Sequence, residues 1–302
     1  MILCAGEALI DMLPRQTAEG ETAFAPHAGG AVFNTAITLG RLDVPTQFFS
    51  GISTDLFGEI LMDTLAASKV DASPAARSDR PTTLAFVKLV DGQASYAFYD
   101  ENTAGRMLDS QPDTTADAYF FGGISLAVAP CAQCYEALQA SVAGHAVTMI
   151  DPNIRPSFIT DEAAYRDRIT AMMHRADIVK LSDEDMEWLL GPGDMGQHAQ
   201  DLITAGAKLI CVTEGAKGVT GYTQSGSVFV AANAVEVVDT VGAGDTFNGG
   251  LLAGLRAGDS LTKSALDNLS DDVLRDALAL GVKAAAITVS RAGANPPWAH
   301  EL

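Results

Sequence analysis

The stretch Asp239-Thr240-Val241-Gly242-Ala243-Gly244-Asp245-Thr246-Phe247 decides how the rest of the chain is read. A valine-rich run, Val235–Val238, leads into it. An apolar, glycine-punctuated segment, Phe247–Leu255, follows, with Arg256 near its end. The pattern is a glycine turn that opens a helix. Gly242, Ala243 and Gly244 can gather their backbone N–H groups toward one point, and the helix N-terminus adds partial positive charge there. Such a turn receives an anion, or the charge on a phosphoryl group in transit. Asp245 falls in the first turn of the same helix. A carboxylate beside an anion hole is costly without a task, and accepting the proton of a substrate hydroxyl is a task that fits. The plainer alternative is a first-turn acid that serves only the helix dipole.

Two rival glycine loops fail. A dinucleotide fingerprint needs a small residue where Phe247 stands and belongs on the first βα unit, whereas this turn is late in the chain. The phosphate loop G-x-x-x-x-G-K-[ST] occurs nowhere. Outward from the turn, apolar strand-like runs alternate with helix-like stretches. Strands are expected at Ile2–Leu9, Thr46–Gly51, Tyr119–Gly122, Val147–Ile150, Ile178–Leu181 and Leu209–Thr213. Helices are expected at Ala31–Leu42, Phe57–Ser68, Ala163–His174 and Glu184–Leu190. This alternation predicts a parallel sheet with helices on both faces and ligands beyond the carboxyl ends of its strands. One segment interrupts it: Leu84–Val90 and Ala94–Asp100 flank Asp91-Gly92, a strong hairpin signal. With the irregular stretch Pro14–His27 it reads as a small β lid over the edge of the main sheet. An ordinary surface hairpin is the alternative.

Composition bounds the partners. The 302 residues carry 38 acidic against 19 basic side chains, a formal charge of −19, which repels nucleic acid and anionic membranes alike. The longest charge-free apolar stretch, Tyr119–Tyr135, is broken by Gly122, Gly123, Pro130 and Gln133, so no membrane span is expected. No basic region precedes Ile2 and Leu3, so no export signal is read there. Cys131 and Cys134 form a lone C-x-x-C without a second ligand pair; reduced structural cysteines of a cytoplasmic protein are expected.

The string Asp239–Asp245 resembles the D-T-x-G-A-G-D signature of the ribokinase-like sugar kinases, the PfkB carbohydrate kinase family. Gly29-Gly30-Ala31-Val32-Phe33-Asn34 resembles that family's N-terminal Gly-Gly signature, and intermediate landmarks follow in order over the whole chain. The resemblance implies a three-layer αβα sandwich with a central, mostly parallel sheet over residues 1–302. It also implies a lid built from about 12–28 and 82–102. It implies an ATP-dependent sugar kinase with Asp245 as base and Gly242, Ala243 and Gly244 as anion hole. Asp11, Gly29, Gly30 and Asn34 would bind the sugar. Independently of family, Asn34 offers a donor and an acceptor to hydroxyls, and Asp11 can accept two. Tyr96 and Phe98 on the second ribbon strand suit the C–H face of a sugar, although packing within the ribbon is an equal use for them.

Arg106 follows in Thr103-Ala104-Gly105-Arg106, where similar kinases of keto sugars place an arginine in the substrate pocket. Asp151-Pro152-Asn153-Ile154-Arg155-Pro156 resembles a fructokinase-type landmark, with Arg155 holding sugar oxygens or phosphate. Lys180, Ser182, Thr213, Gly215, Gly218 and Gly244 match nucleotide-binding positions. The family's N-x-x-E stands here as Ser182 and Asp185, so Asp185 is either a magnesium-side carboxylate or part of a helix start capped by Ser182. Asp239, Ser290 and Gly293 match a monovalent-cation region, with potassium implied. The termini of the chain look most like fructokinases. 2-keto-3-deoxygluconate kinase is the alternative, and ribokinase or nucleoside kinase a more distant one. The resemblance also implies a homodimer formed through the lid.

Overall fold

The computed structural model describes the backbone of residues 1–90 and 93–302 and the side chains outside 87–96. The expected Asp91-Gly92 turn and the side chain of Tyr96 therefore lie outside the described residues. The first half of the chain runs β1 (Ile2–Ala5), β2 (Leu9–Gln16), β3 (Thr22–Gly29), α1 (Ala31–Arg41), β4 (Thr46–Phe49), β5 (Gly51–Ser53), α2 (Leu56–Ala67), β6 (Val70–Asp71), β7 (Ala76–Ser78), β8 (Leu84–Val90), β9 (Gln93–Tyr99), β10 (Ala118–Gly122) and α3 (Cys131–Val142). The second half runs β11 (Val147–Asp151), α4 (Glu162–Arg175), β12 (Ile178–Ser182), α5 (Asp183–Leu190), α6 (Met195–Ala205), β13 (Leu209–Thr213), β14 (Gly218–Thr223), β15 (Gly226–Ala231), α7 (Ala243–Ala257), α8 (Lys263–Leu266) and α9 (Asp271–Val289).

Among the described residues the main sheet has the order β15-β14-β13-β12-β11-β10-β1-β4-β6. From β6 to β13 every pairing is parallel, and β14 and β15 add antiparallel edge strands. Its central strands are four- or five-residue apolar runs buried on both faces, as parallel strands under helices must be. Alternate residues feed two cores. Ile2, Cys4, Phe48, Phe120 and Met149 pack toward α1, α7 and α9. Leu3, Ala5, Phe121, Ile150 and Val179 pack toward α3, α4 and α6. This is the three-layer sandwich. The chain leaves β1 for β4 on one side and returns to β10 on the other. That reversal opens a crevice beyond the carboxyl ends of β1, β10 and β11.

Two expectations need correcting, and one hairpin is new. Ile2–Leu9 is not one strand: β1 stops at Ala5, and Leu9 already begins β2 in a different sheet. The stretch Pro14–His27 is not irregular, since β2 and β3 pair antiparallel from Leu9↔Gly29 to Gln16↔Thr22. Pro14 and Pro26 are accommodated because the outer part of this ribbon lies at a sheet edge. The hairpin of β14 and β15 was not expected at all. β8 joins β2 in parallel and β9 pairs with β8, giving a second sheet of order β3-β2-β8-β9.

On the core side, α7 is gripped between α1 and α9. A side chain at Gly250 would reach 2.7 Å from the Cα of Gly281 on α9, and one at Gly249 would reach 2.6 Å from Thr38 on α1. The missing side chains let three helices approach backbone to backbone. Thr288 of α9 donates to the Thr246 hydroxyl at 3.0 Å, and Thr35 of α1 donates to the Asp245 carbonyl at 3.1 Å.

Candidate active site

α7 begins at Gly242, whose φ of +77° is left-handed and so favours glycine. The first helical hydrogen bond runs from Thr246 N to Gly242 O, 2.8 Å. Of the expected trio of amides, Ala243 N already bonds Thr240 O at 3.3 Å. Those of Gly242 and Gly244 carry no hydrogen bond among the described residues. These free donors face a cleft of about 290 Å³ lined by Asp11, Gly30, Asn34, Phe98, Arg155, Asp245 and Glu7, among others.

Asp245 is 7% exposed on the wall of this cleft. Asn34 of α1 donates to its Oδ2 at 2.9 Å, and Asn153 reaches Oδ1 at 3.5 Å. Burial pushes its pKa up to about 7. The Asn34 bond works against that rise, and the Asp151 charge adds to it. The carboxyl is therefore poised to exchange a proton near neutral pH.

Asp151 ends β11. The register that sets Ile150 against Val179 brings it beside Lys180 of β12. The pair is closed by a 3.0 Å contact, with Asp151 2% and Lys180 4% exposed. Asn248 of α7 donates a further 2.7 Å bond to Asp151. Burial alone would lower the Lys180 pKa, but Asp151, Asp185 and Asp245 outweigh it and hold the ammonium above its usual value. Lys180 also stands at the anion hole: a Cβ built on Gly244 would lie 3.2 Å from its Nζ. Removing either member of the Asp151–Lys180 pair would leave the other as a buried, unpaired charge.

The opposite wall is the second sheet. Asp11 of β2 aligns with Ala85, and Ala85 with Phe98, so Asp11 and Phe98 share the cleft face. Asp11 has no hydrogen-bond partner among the described residues, and burial raises its pKa to about 6. A Cβ at Gly29 would fall 2.3 Å from Asp11 Oδ2, so that glycine leaves the carboxylate its place. A carboxylate half out of water with open lone pairs is ready for hydroxyl donors.

The other expected residues are placed as follows. Arg155 lines the cleft, with its guanidinium on Ile154 O at 3.0 Å. Arg106 does not line the cleft. It borders a separate chamber of about 20 Å³ and pairs with Asp100 at 3.3 Å. Lys180 and Ser182 end β12, Thr213 ends β13, and Gly215 and Gly218 form the turn into β14, along one sheet edge beside Gly244. Ser182 caps α5 through Asp185 N at 3.0 Å, while Asp185 accepts from Ile154 N at 3.1 Å. Burial, then Asp151, raises the Asp185 pKa. Asp239 accepts from Val241 N at 3.0 Å and Gly293 N at 2.9 Å, tying the glycine turn to the C-terminal loop. Ser290 donates to Ile287 O at 2.8 Å.

Sequence reasoning passed over Glu7, Asp151, Asn153 and Asn248. Asp151 and Asn153 stood in a quoted landmark, and their position straight after a buried strand was the available signal. Nothing local marks Glu7 or Asn248. Among the described residues all four cysteines are free and buried, Cys131 and Cys134 included, and no helix is long and apolar enough to cross a membrane.

Comparison with known proteins adds to this geometry. The profile of the pfkB family carbohydrate kinases matches residues 1–301. A fructokinase of Rhizobium leguminosarum bv. trifolii is 54% identical over 280 residues, covering 91% of this chain and 86% of that protein. The fructokinase of Xylella fastidiosa with bound ATP superposes with a TM-score of 0.89 at 31% identity, covering 97% of this chain and 93% of that one. A doubly substituted fructokinase of Vibrio cholerae O395, in its fructose-, ADP- and potassium-bound form, has a TM-score of 0.85 at 25% identity, with 97% and 93% covered.

Proposed function

The chain belongs to the pfkB family of carbohydrate kinases, and we propose that the sugar it phosphorylates with ATP is fructose. The observation that carries this reading is one cleft with two unlike walls. Asp245 stands beside free amides on one, and the unpartnered Asp11 stands on the other. Fructose is neutral and rich in hydroxyl donors. The cleft offers the carboxylates of Glu7 and Asp11 against the single guanidinium of Arg155, a balance that suits a polyol better than an acid. The sugars named for the relatives support the same choice.

In the mechanism, Asp11 and Asn34 hold the sugar hydroxyls while Phe98 covers a C–H face. The reacting hydroxyl gives its proton to Asp245. Its oxygen bonds to the γ-phosphorus as the bond from that phosphorus to the ADP oxygen breaks. The amides of Gly242 and Gly244 and the Lys180 ammonium meet the charge on the transferring group. Asn34 and Asn153 keep the Asp245 carboxylate turned toward the cleft. The strand-end positions Ser182, Thr213, Gly215 and Gly218 take the nucleotide.

Among the described residues no three His, Cys, Asp or Glu side chains form a metal cage. Magnesium would be held by the nucleotide's phosphates with Asp185 as a supporting carboxylate, neutralising phosphate charge. Potassium would sit at the loop that Asp239 ties, on the lone pairs its two amide bonds leave open. The sheet face turned from the cleft carries an aromatic row, Phe24 to Phe86 at 5.0 Å and Phe86 to Tyr99 at 5.4 Å, with Phe24 and Tyr99 exposed. That row supports a homodimer through the lid, and replacing Phe24 and Tyr99 by serine would yield monomers in sedimentation.

An ADP-coupled assay with ATP, magnesium and a panel of sugars tests the substrate. Fructose should show the highest kcat/KM. A higher value for 2-keto-3-deoxygluconate would favour a carboxylate gripped by Arg106 or Arg155, replacing fructose while leaving the kinase intact. Release of ADP with no sugar on the panel would sink the whole assignment of this cleft.

A further inference from the structure

Helix α1 carries Asn34, yet it starts at Gly30, which has no side chain to cap it. The cap comes from elsewhere. Glu7, in the three-residue gap between β1 and β2, accepts from Ala31 N at 2.9 Å through Oε1 and from Ser125 N at 3.4 Å through Oε2. Its side chain is buried, and the space it fills exists only because residue 123 is glycine: a Cβ there would lie 1.9 Å from Oε1. The carboxylate borders both the substrate cleft and the inner chamber that holds Arg106 and Asp100. One buried charge thus joins the end of β1, the start of α1 and the turn after β10.

We propose that Glu7 is a positioning residue, which fixes the first turn of α1 and through it the Asn34 amide against Asp245. The chain of contacts is continuous: Glu7 to Ala31 N, Ala31 one turn below Asn34, Asn34 to Asp245. The backbone of that turn is tied too, since Asn34 N bonds Gly30 O at 2.8 Å. A negative charge at a helix start is favourable in itself, but a surface acid at the cap would serve stability equally well. What a buried acid from another segment adds is a fixed distance between the helix and the sheet. The proposal rests on the reading of Asp245 and Asn34 given above.

The test is a double-mutant cycle on kcat/KM for fructose with the full chain. Glu7→Ala removes the acceptor. Ala31→Pro severs the same link with Glu7 intact, at a helix position where proline is well tolerated. Each should lower kcat/KM by about 10-fold or more in the wild-type background, since small misplacements of a catalytic contact are expensive. In the Asn34→Ala background each should lower it less than about twofold, because the contact to be positioned is gone. Equal losses in both backgrounds, or no loss at all, would overturn the proposal. Thermal unfolding accompanies each variant. Where Glu7→Ala fails to fold, Ala31→Pro decides, and failure of both to fold would make Glu7 a folding residue and overturn the assignment. Asp245→Asn in the same series separates the premises: normal turnover there defeats the base reading, while the coupling of Glu7 to Asn34 is still measured.

Discussion

The two walls of the cleft are built on opposite principles. The α7 wall is part of the core: its start is pinned by Thr35, Thr246 and Thr288, and beside it the buried Asp151–Lys180 pair is braced by Asn248. The wall of β2, β3, β8 and β9 is an outlying sheet. Its outer residues are exposed, and its key carboxylate, Asp11, has no partner among the described residues. The difference teaches a division of labour. Groups that handle developing charge must be placed before the substrate arrives, because reorganisation during the reaction would raise the barrier. Groups that recognise hydroxyls can be left unsatisfied until the sugar satisfies them.

The strongest way to break this contrast is Asp245→Asn. Loss of the proton acceptor should lower kcat by about 10²–10⁴-fold with little change in the KM for fructose. Stability should move the other way. The folded-state pKa of about 7 lies above the ordinary aspartate value. Ionising Asp245 therefore costs stability, beginning above the unfolded pKa of about 4 and reaching its full extent above the folded one. The variant should melt higher than wild type at pH 8 and no differently at pH 4. A helix start that merely wanted a charge would give the reverse: normal turnover and a lower melting temperature.

A matched pair of Gly→Ala changes sharpens it. At Gly242 the new Cβ would meet Ala294 at 2.6 Å in a left-handed backbone, so kcat should fall about 10²-fold with sugar KM near normal. At Gly29 the Cβ displaces the Asp11 carboxylate instead. There the KM for fructose should rise about 10-fold with kcat within about threefold. Steady-state kinetics that swapped these two signatures would erase the distinction between the walls.

Acid is the next probe. A base near pKa 7 works only when deprotonated, so kcat/KM should rise with pH up to about 7 and then level. Asp11, near 6, should steepen the fall further into acid. A profile flat from pH 5 to 8 would remove Asp245 from the chemistry. The smallest effect is on mobility. Amides of Ala97–Tyr99 should exchange more slowly in saturating fructose, as the outlying sheet settles on the sugar, while those of Thr246–Leu255 should not change. Slowing confined to α7 would reverse the assignment of rigid and adaptable walls.

The sandwich was legible because its central strands are short apolar runs buried on both faces and separated by helical stretches. The glycine turn was legible because its residues are contiguous. The β2–β3 hairpin was not, since Pro14 and Pro26 mimic a loop and an edge ribbon lacks a clean alternation. β14 and β15 hid behind Gly218, Gly221 and Gly226 for a similar reason. In the site, the residues that stand in contiguous strings were singled out, and the cleft gathers Asp11, Gly30, Asn34, Arg155 and Asp245. Those whose meaning lies in a partner far along the chain were not: Asn248 with Asp151 across 97 positions, and Glu7 with Ser125 across 118. Arg106, suggested by its neighbourhood in the sequence, pairs with Asp100 in the chamber adjoining the cleft.

The glycine contacts between α7, α1 and α9 have a consequence for anyone wishing to redesign this protein. With Gly250 against Gly281 and Gly249 against Thr38 there is no slack into which a larger side chain could be absorbed. Libraries that randomise the buried face of α7 will return mostly dead or unfolded clones. Libraries at Asp11 and Phe98, on the cleft face of the outlying sheet, leave these helix contacts untouched. A change of sugar is therefore reached by rewriting the outlying sheet, with the phosphoryl-transfer apparatus inherited unaltered.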